Sequence, residues 1–170
     1  MQSFGLTRYA TIRVMAEHAR PARQGPGAVA VTVELDLPVS LAFDKVTDWE
    51  GQEQWMPLTT VRVVKGDGRS VGSRVEAYTG VGRLGFLDII EVTSWDPPNR
   101  VDVMHVGRLL RGPGAFEFSA LPTGGTALTW SEWLHLPFGR VGRIGWPIGR
   151  VIAAALLRIA LRRFVARNDV

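Results

Sequence analysis

The segment LGFLDIIEVTSWDPPNRVDVMHV, residues 84–106, decides the fold. Two runs, Leu84–Ser94 and Arg100–Val106, are rich in Val and Ile and flank the turn-forming Asp96-Pro-Pro-Asn99. Pro and Asn reverse a chain locally, and a link this short joins strands only as antiparallel neighbours. Side chains alternate between the two faces of a strand. With Glu91 and Thr93 outward, Leu84, Phe86, Asp88, Ile90 and Val92 face in. With Asp102 outward, Val101, Val103 and His105 face in.

The same pattern extends in both directions. Downstream, Gly114–Leu121 puts Phe116 and Phe118 inside if Glu117 and Ser119 are outside. Pro122-Thr-Gly-Gly125 is a turn, and Thr126–Leu136 follows, with Leu128, Trp130, Glu132 and Leu134 assigned to the inner face. Upstream, Val61–Val64 and Ser73–Tyr78 are strand-like, separated by Gly66-Asp-Gly68. Residues 29–37 alternate without a break: Val29, Val31, Val33, Leu35 and Leu37 on one side, Ala30, Thr32, Glu34 and Asp36 on the other. Two short helices fit between the first and second strands. One opens at Pro38 or Ser40 and buries Leu41, Ala42, Phe43 and Val46; the other spans about Asp48 to Trp55 and ends at Pro57. After Pro137 a helical region reaches Arg167, with Pro147 at its start or at a kink. The order is strand, two short helices, six strands, long helix. That predicts an α+β fold, a seven-stranded antiparallel sheet with its helices on one side.

A chain of 170 residues is one domain in size, and 46% hydrophobic with 21% charged residues is ordinary for a globular protein. Cysteine is absent, which excludes disulfides, thiolate catalysis and cysteine zinc sites. Together with the lack of a signal-like apolar run in residues 1–28, this fits a cytoplasmic chain. Those residues read as an N-terminal extension, poorly ordered, with a linker at 19–27; the domain proper is 29–170. Charge is segregated. Residues 1–28 carry four Arg against one Glu, residues 140–170 seven Arg against one Asp, and residues 29–139 nine basic against fourteen acidic groups. An acidic body argues against nucleic acid as a partner.

No stretch reaches the ~18 uninterrupted apolar residues of a spanning helix. On a helical wheel Arg143, Arg150, Arg158 and Arg162 fall within about 120° of arc, and the remaining surface is apolar. A narrow polar stripe predicts a helix largely enclosed by protein, part of whose apolar face could line a cavity. The alternative is an interfacial helix making peripheral contact with anionic lipid through its Arg edge.

Three polar side chains, Asp88, His105 and Glu132, land on the inner face by strand parity. Titratable groups sharing an apolar surface form a mutual network or a site. They would orient a polar group of a ligand or serve as acid and base; otherwise they sit at the pocket mouth or pair with an Arg such as Arg83 or Arg111. Metal binding by the three is not expected, since His18 and His135 give no ligand spacing with His105, and no cofactor is implied. Ser94 and Ser131 have no His partner, and no nucleophile elbow exists. Gly80-Val-Gly82 and Gly112-Pro-Gly114 lack the strand-to-helix context of a phosphate loop and read as turns. Trp49 and Trp55 read first as core plugs.

The element order resembles the START-like, birch-pollen-allergen superfamily in its polyketide cyclase/dehydrase and lipid-transport branch. The residues that carry the resemblance are Leu37-Pro38-Val39, Ala42–Trp49, Gln54-Trp-Met-Pro57, Val71-Gly-Ser73, Glu91–Arg100, Gly124–Trp130 and the Arg-rich terminal helix. The resemblance covers residues 29–167 and implies a helix-grip fold: a curved sheet and a long C-terminal helix enclosing an apolar cavity. It implies binding or carriage of a small hydrophobic molecule such as a lipid, polyketide or isoprenoid. The expected ligand-binding residues are Trp49, Trp55, Phe86, Asp88, Ile90, Val103, His105, Phe116, Phe118, Trp130, Glu132, Ile152 and Leu156. The alternatives are an aromatase/cyclase or dehydratase with His105, Glu132 and Asp88 as its catalytic acid-base set, and a membrane-surface accessory protein. Oligomeric state is open.

Overall fold

Val29, Val31, Val33 and Leu35 are 1–6% exposed in strand β1 (Ala28–Leu35), whereas the intervening Ala30 is exposed. Parity thus sets the inner face from the first strand onward. The computed structural model describes residues 27–135 and 140–168. The N-terminal extension, apart from its last two residues, lies outside the described residues.

Helix α1 (Val39–Val46) follows, burying Ala42, Phe43 and Val46, and then a single 3-10 segment, Glu50–Gln54. The remaining strands are β2 (Thr59–Lys65), β3 (Arg74–Val81), β4 (Leu84–Asp96), β5 (Arg100–Val106), β6 (Arg111–Ala120) and β7 (Thr126–Trp133). Helix α2 (Arg140–Asn168) closes the chain, with Pro147 inside it. All seven strands form one antiparallel sheet in the order β1-β7-β6-β5-β4-β3-β2. Every sequential pair from β2 to β7 is a hairpin; only β1 crosses, carried over by α1 and the 3-10 segment to leave β2 at the far edge.

The inner face is filled at one end. Phe43 of α1 meets Trp95 edge-on and Phe118 at a tilt, each at 5.3 Å between ring centroids. Trp55 meets Trp130 at 6.2 Å and Phe164 of α2 at 5.2 Å. Trp49 is 5% exposed and donates its indole N–H to the Gly68 carbonyl at 2.7 Å. Both tryptophans plug the core, at 5% and 3% exposure. On the outer face, Arg74 pairs with Glu91, and Arg100 with Asp102 and Glu117. Such wet pairs contribute little to stability.

Three sequence expectations are corrected. Leu84 is 86% exposed, because the β3–β4 hairpin projects beyond the covered part of the sheet. Gly112-Pro-Gly114 is not a turn but the first part of β6. Helix α2 is not enclosed: Ala160, Leu161, Phe164 and Val165, at 0–6% exposure, join the core, and the half-buried Ala154 and Leu157 pack against it. Ile152 and Leu156 are 57% and 56% exposed and face solvent rather than the sheet. The Arg stripe misled because α2 is apolar on two faces, and a wheel does not say which one the sheet takes.

Candidate functional site

Beyond the filled end, the inner face of the sheet becomes polar. Asp88 on β4, His105 on β5 and Glu132 on β7 each continue a row of inward residues, Val92–Ile90–Asp88, Val101–Val103–His105 and Leu128–Trp130–Glu132, buried except for the half-buried Ile90 and Glu132. The structure brings all three together. His105 Nδ1 lies 2.7 Å from Asp88 Oδ2, and Nε2 lies 2.8 Å from Glu132 Oε2. Trp130 Nε1 donates to the other Glu132 oxygen, Oε1, at 2.7 Å. The side chains are 7%, 9% and 10% exposed for His105, Asp88 and Glu132. They pair with one another and not with arginine; Arg111 donates to the Gly107 carbonyl instead, at 3.1 Å.

The span of this network needs an explanation, because β6 separates β5 from β7. In the register, His105 faces Gly112 and Val103 faces Gly114 across one side of β6; Gly114 faces Glu132 across the other. Gly114 shares the inner face with Phe116 and Phe118. A Cβ there would sit 2.5 Å from Glu132 Oε2 and 3.0 Å from the carboxyl carbon. Glycine at 114 therefore leaves the gap through which Glu132 reaches over β6 to His105. Sequence reading missed this role. The available signal was a glycine at an inward position two residues before Phe116, but only the register shows what it faces.

The electrostatics follow from the geometry. Both imidazole nitrogens face carboxylate oxygens, and a neutral ring has only one N–H to donate. The arrangement is satisfied by imidazolium. Burial opposes that charge, but the Glu132 charge, hydrogen bonds to Asp88 and Glu132, and the Asp88 charge together overcome it and push the His105 pKa up to about 10. The cluster is then one cation between two anions. The hydrogen-bond chain runs Trp130 to Glu132, His105 to Glu132, and His105 to Asp88. It stops at Asp88 Oδ1, which is buried and has no hydrogen-bond partner among the described residues.

Around the cluster the surface is apolar. Ile90 pairs directly with His105, Val103 precedes it on the same face, and Phe116 packs against Trp130 at 5.0 Å between centroids. Phe86 is half-buried one inward position beyond Asp88. Phe118 belongs to the filled end through its contact with Phe43. Among the described residues no group of His, Asp or Glu is arranged to hold a metal ion; the imidazole separates the carboxylates instead of converging with them on one point.

A family model described as polyketide cyclase / dehydrase and lipid transport matches residues 26–168. The chain belongs to that family. No curated protein matches it. Solved structures agree with the family's fold. A START superfamily protein from Mycobacterium smegmatis superposes with a TM-score of 0.66 at 17% identity, covering 84% of this chain and 97% of that one. A protein from Chromobacterium violaceum gives 0.64 at 13% identity, covering 85% and 99%. The Aha1 dimer from Colwellia psychrerythraea gives 0.61 at 12% identity, covering 84% and 96%. At these identities the likeness is one of fold alone, so within the family the chemistry of this chain must be argued from its own residues.

Proposed function

We propose that this protein binds a small, mostly apolar molecule on the inner face of its sheet and orients it through one hydrogen-bond donor, a hydroxyl or an ammonium, placed on Asp88 Oδ1. The observation that carries the reading is that oxygen: an acceptor, buried, and without a hydrogen-bond partner among the described residues. A buried acceptor without a partner is costly, so a donor arriving there is favoured. Ile90, Val103, Phe116 and Trp130 supply the apolar surroundings that such a ligand's body requires. Family membership supports the same class of ligand.

Binding is favoured over acid-base turnover by the state of His105. A general base needs an unshared lone pair within reach of its substrate. Both nitrogens of His105 are committed to carboxylates.

The test uses Asp88→Asn. His105 N–H holds an oxygen at the Oδ2 position, so the amide NH2 takes the place of Oδ1 and turns an acceptor into a donor. Wild-type protein should bind long-chain alcohols or amines about tenfold or more tightly than ketones of equal length, read by tryptophan fluorescence. The variant should reverse that order. The same preference in both proteins, or no binding of any apolar compound, refutes the reading.

A further inference from the structure

The strongest unexplained feature lies on the opposite side of the protein's long helix. In α2, Ile144, Ile148, Val151, Ile152, Leu156 and Ile159 are 43–81% exposed. At 100° per residue these six occupy an arc of about 140°, and the core-facing Ala160, Leu161, Phe164 and Val165 occupy the other half of the wheel. The exposed row is about 22 Å long at 1.5 Å per residue. Soluble surfaces rarely carry a contiguous apolar strip of this kind without a partner.

The charges say which partner. Helix α2 contains seven arginines and no acidic residue. Arg162 and Arg163 follow the row on the same outward arc and are exposed; Arg143 precedes it, exposed on the other side of the helix. The segment 29–139 has an excess of acidic groups. We infer that α2 docks this protein on an anionic lipid bilayer, its outward apolar row set into the interface and Arg162 and Arg163 among the headgroups.

Two other occupants fit less well. A second copy meeting this row in parallel would set Arg162 and Arg163 against their own counterparts, with no carboxylate on the helix to relieve them. Spanning is opposed by the fold. By length and composition Arg143–Asn168 could cross a membrane, with a mean hydropathy of 1.6 over its most apolar window. Its last turns, however, hold Leu161 and Phe164 at 0–1% exposure in the core, and withdrawing them would open the domain. Lying flat uses the exposed row and leaves the core intact. This inference stands independently of the ligand proposed above.

The experiment is sedimentation of the intact chain with vesicles of phosphatidylcholine alone or with about 30% phosphatidylglycerol, at low and high salt. Wild type should pellet with the anionic vesicles, and less so in high salt. Ile152→Asp with Leu156→Asp should lower partitioning at least a hundredfold, because charged groups are excluded from the acyl boundary. Arg162→Gln with Arg163→Gln should lower it about fivefold per charge. All four positions are exposed, and unchanged circular dichroism and thermal midpoints would verify the fold. Absence of binding, or equal binding to neutral vesicles, overturns the inference. So does a dimer in light scattering that Ile152→Asp with Leu156→Asp dissociates while vesicles are ignored; that result assigns the row to a second copy.

Discussion

Raising the pH from about 6 to about 10 should progressively destabilise this protein, and His105 is the reason. In the folded chain its pKa stands at about 10, against 6.5 for a free histidine. A raised folded-state pKa means that the native state keeps a proton the unfolded chain gives up. The stabilisation is complete below about pH 6.5 and is lost as pH climbs to about 10, at up to about 1.4 kcal/mol per pH unit. Over the whole window the loss approaches about 5 kcal/mol, a large share of the 5–15 kcal/mol that holds a typical domain together. Relaxation of the cluster around neutral imidazole would return part of this, so a net loss of about 2–5 kcal/mol is expected. The chain has only two lysines and two tyrosines, so few other side chains compete in this range. Urea unfolding at successive pH values gives the slope directly. A triple variant, Asp88→Asn with His105→Gln and Glu132→Gln, carries no charge at the cluster and should lose most of it. A stability that stays flat or rises between about pH 7 and about pH 9.5, or a slope that survives in the triple variant, would refute the charged-cluster reasoning.

Three further outcomes follow from the same geometry. Gly114→Ala should displace the Glu132 carboxylate from His105, costing about 1–3 kcal/mol by urea unfolding and lowering the His105 pKa in an NMR titration; unchanged values for both would show that Glu132 does not depend on the gap in β6. Trp130→Phe removes the donor to Glu132 Oε1 and part of the ring that meets Trp55 and Phe116, so a loss of about 2–4 kcal/mol is expected, with NMR changes at the cluster and at Trp55. Phe164→Ala removes the ring that α2 inserts against Trp55 and should cost about 3–5 kcal/mol; a cost below about 1 kcal/mol would mean that α2 is not fastened to the core as described.

The sheet was legible in the sequence because its signals are local. Alternation along residues 29–37 and 84–106, and turns at Asp96–Asn99 and Pro122–Gly125, need no knowledge of distant residues. The polar cluster was half legible for the same reason. Parity put Asp88, His105 and Glu132 on one face, but parity does not measure distance across strands. Their closure depends on the β5–β6–β7 register and on Gly114, and register is a property of pairing between segments far apart in the chain. Helix α2 was the least legible element. Its sequence is apolar in nearly every direction, so its wheel fits an enclosed helix as well as one whose inner face is satisfied by a few residues near its end. What separates the two is how far the sheet extends beneath the helix, and Ile152 and Leu156 carry no local sign of it.

The most direct measurement is native mass spectrometry of freshly purified wild-type protein beside Asp88→Asn. Binding at the Asp88–His105–Glu132 cluster predicts a small molecule retained by the wild-type chain, bearing a hydroxyl or amine on an apolar skeleton, and missing from the variant. Retention of the same molecule by both chains would place the binding elsewhere. Bare polypeptide in both, with no uptake when apolar alcohols or amines are added, would contradict the claim that the cluster exists to hold a ligand.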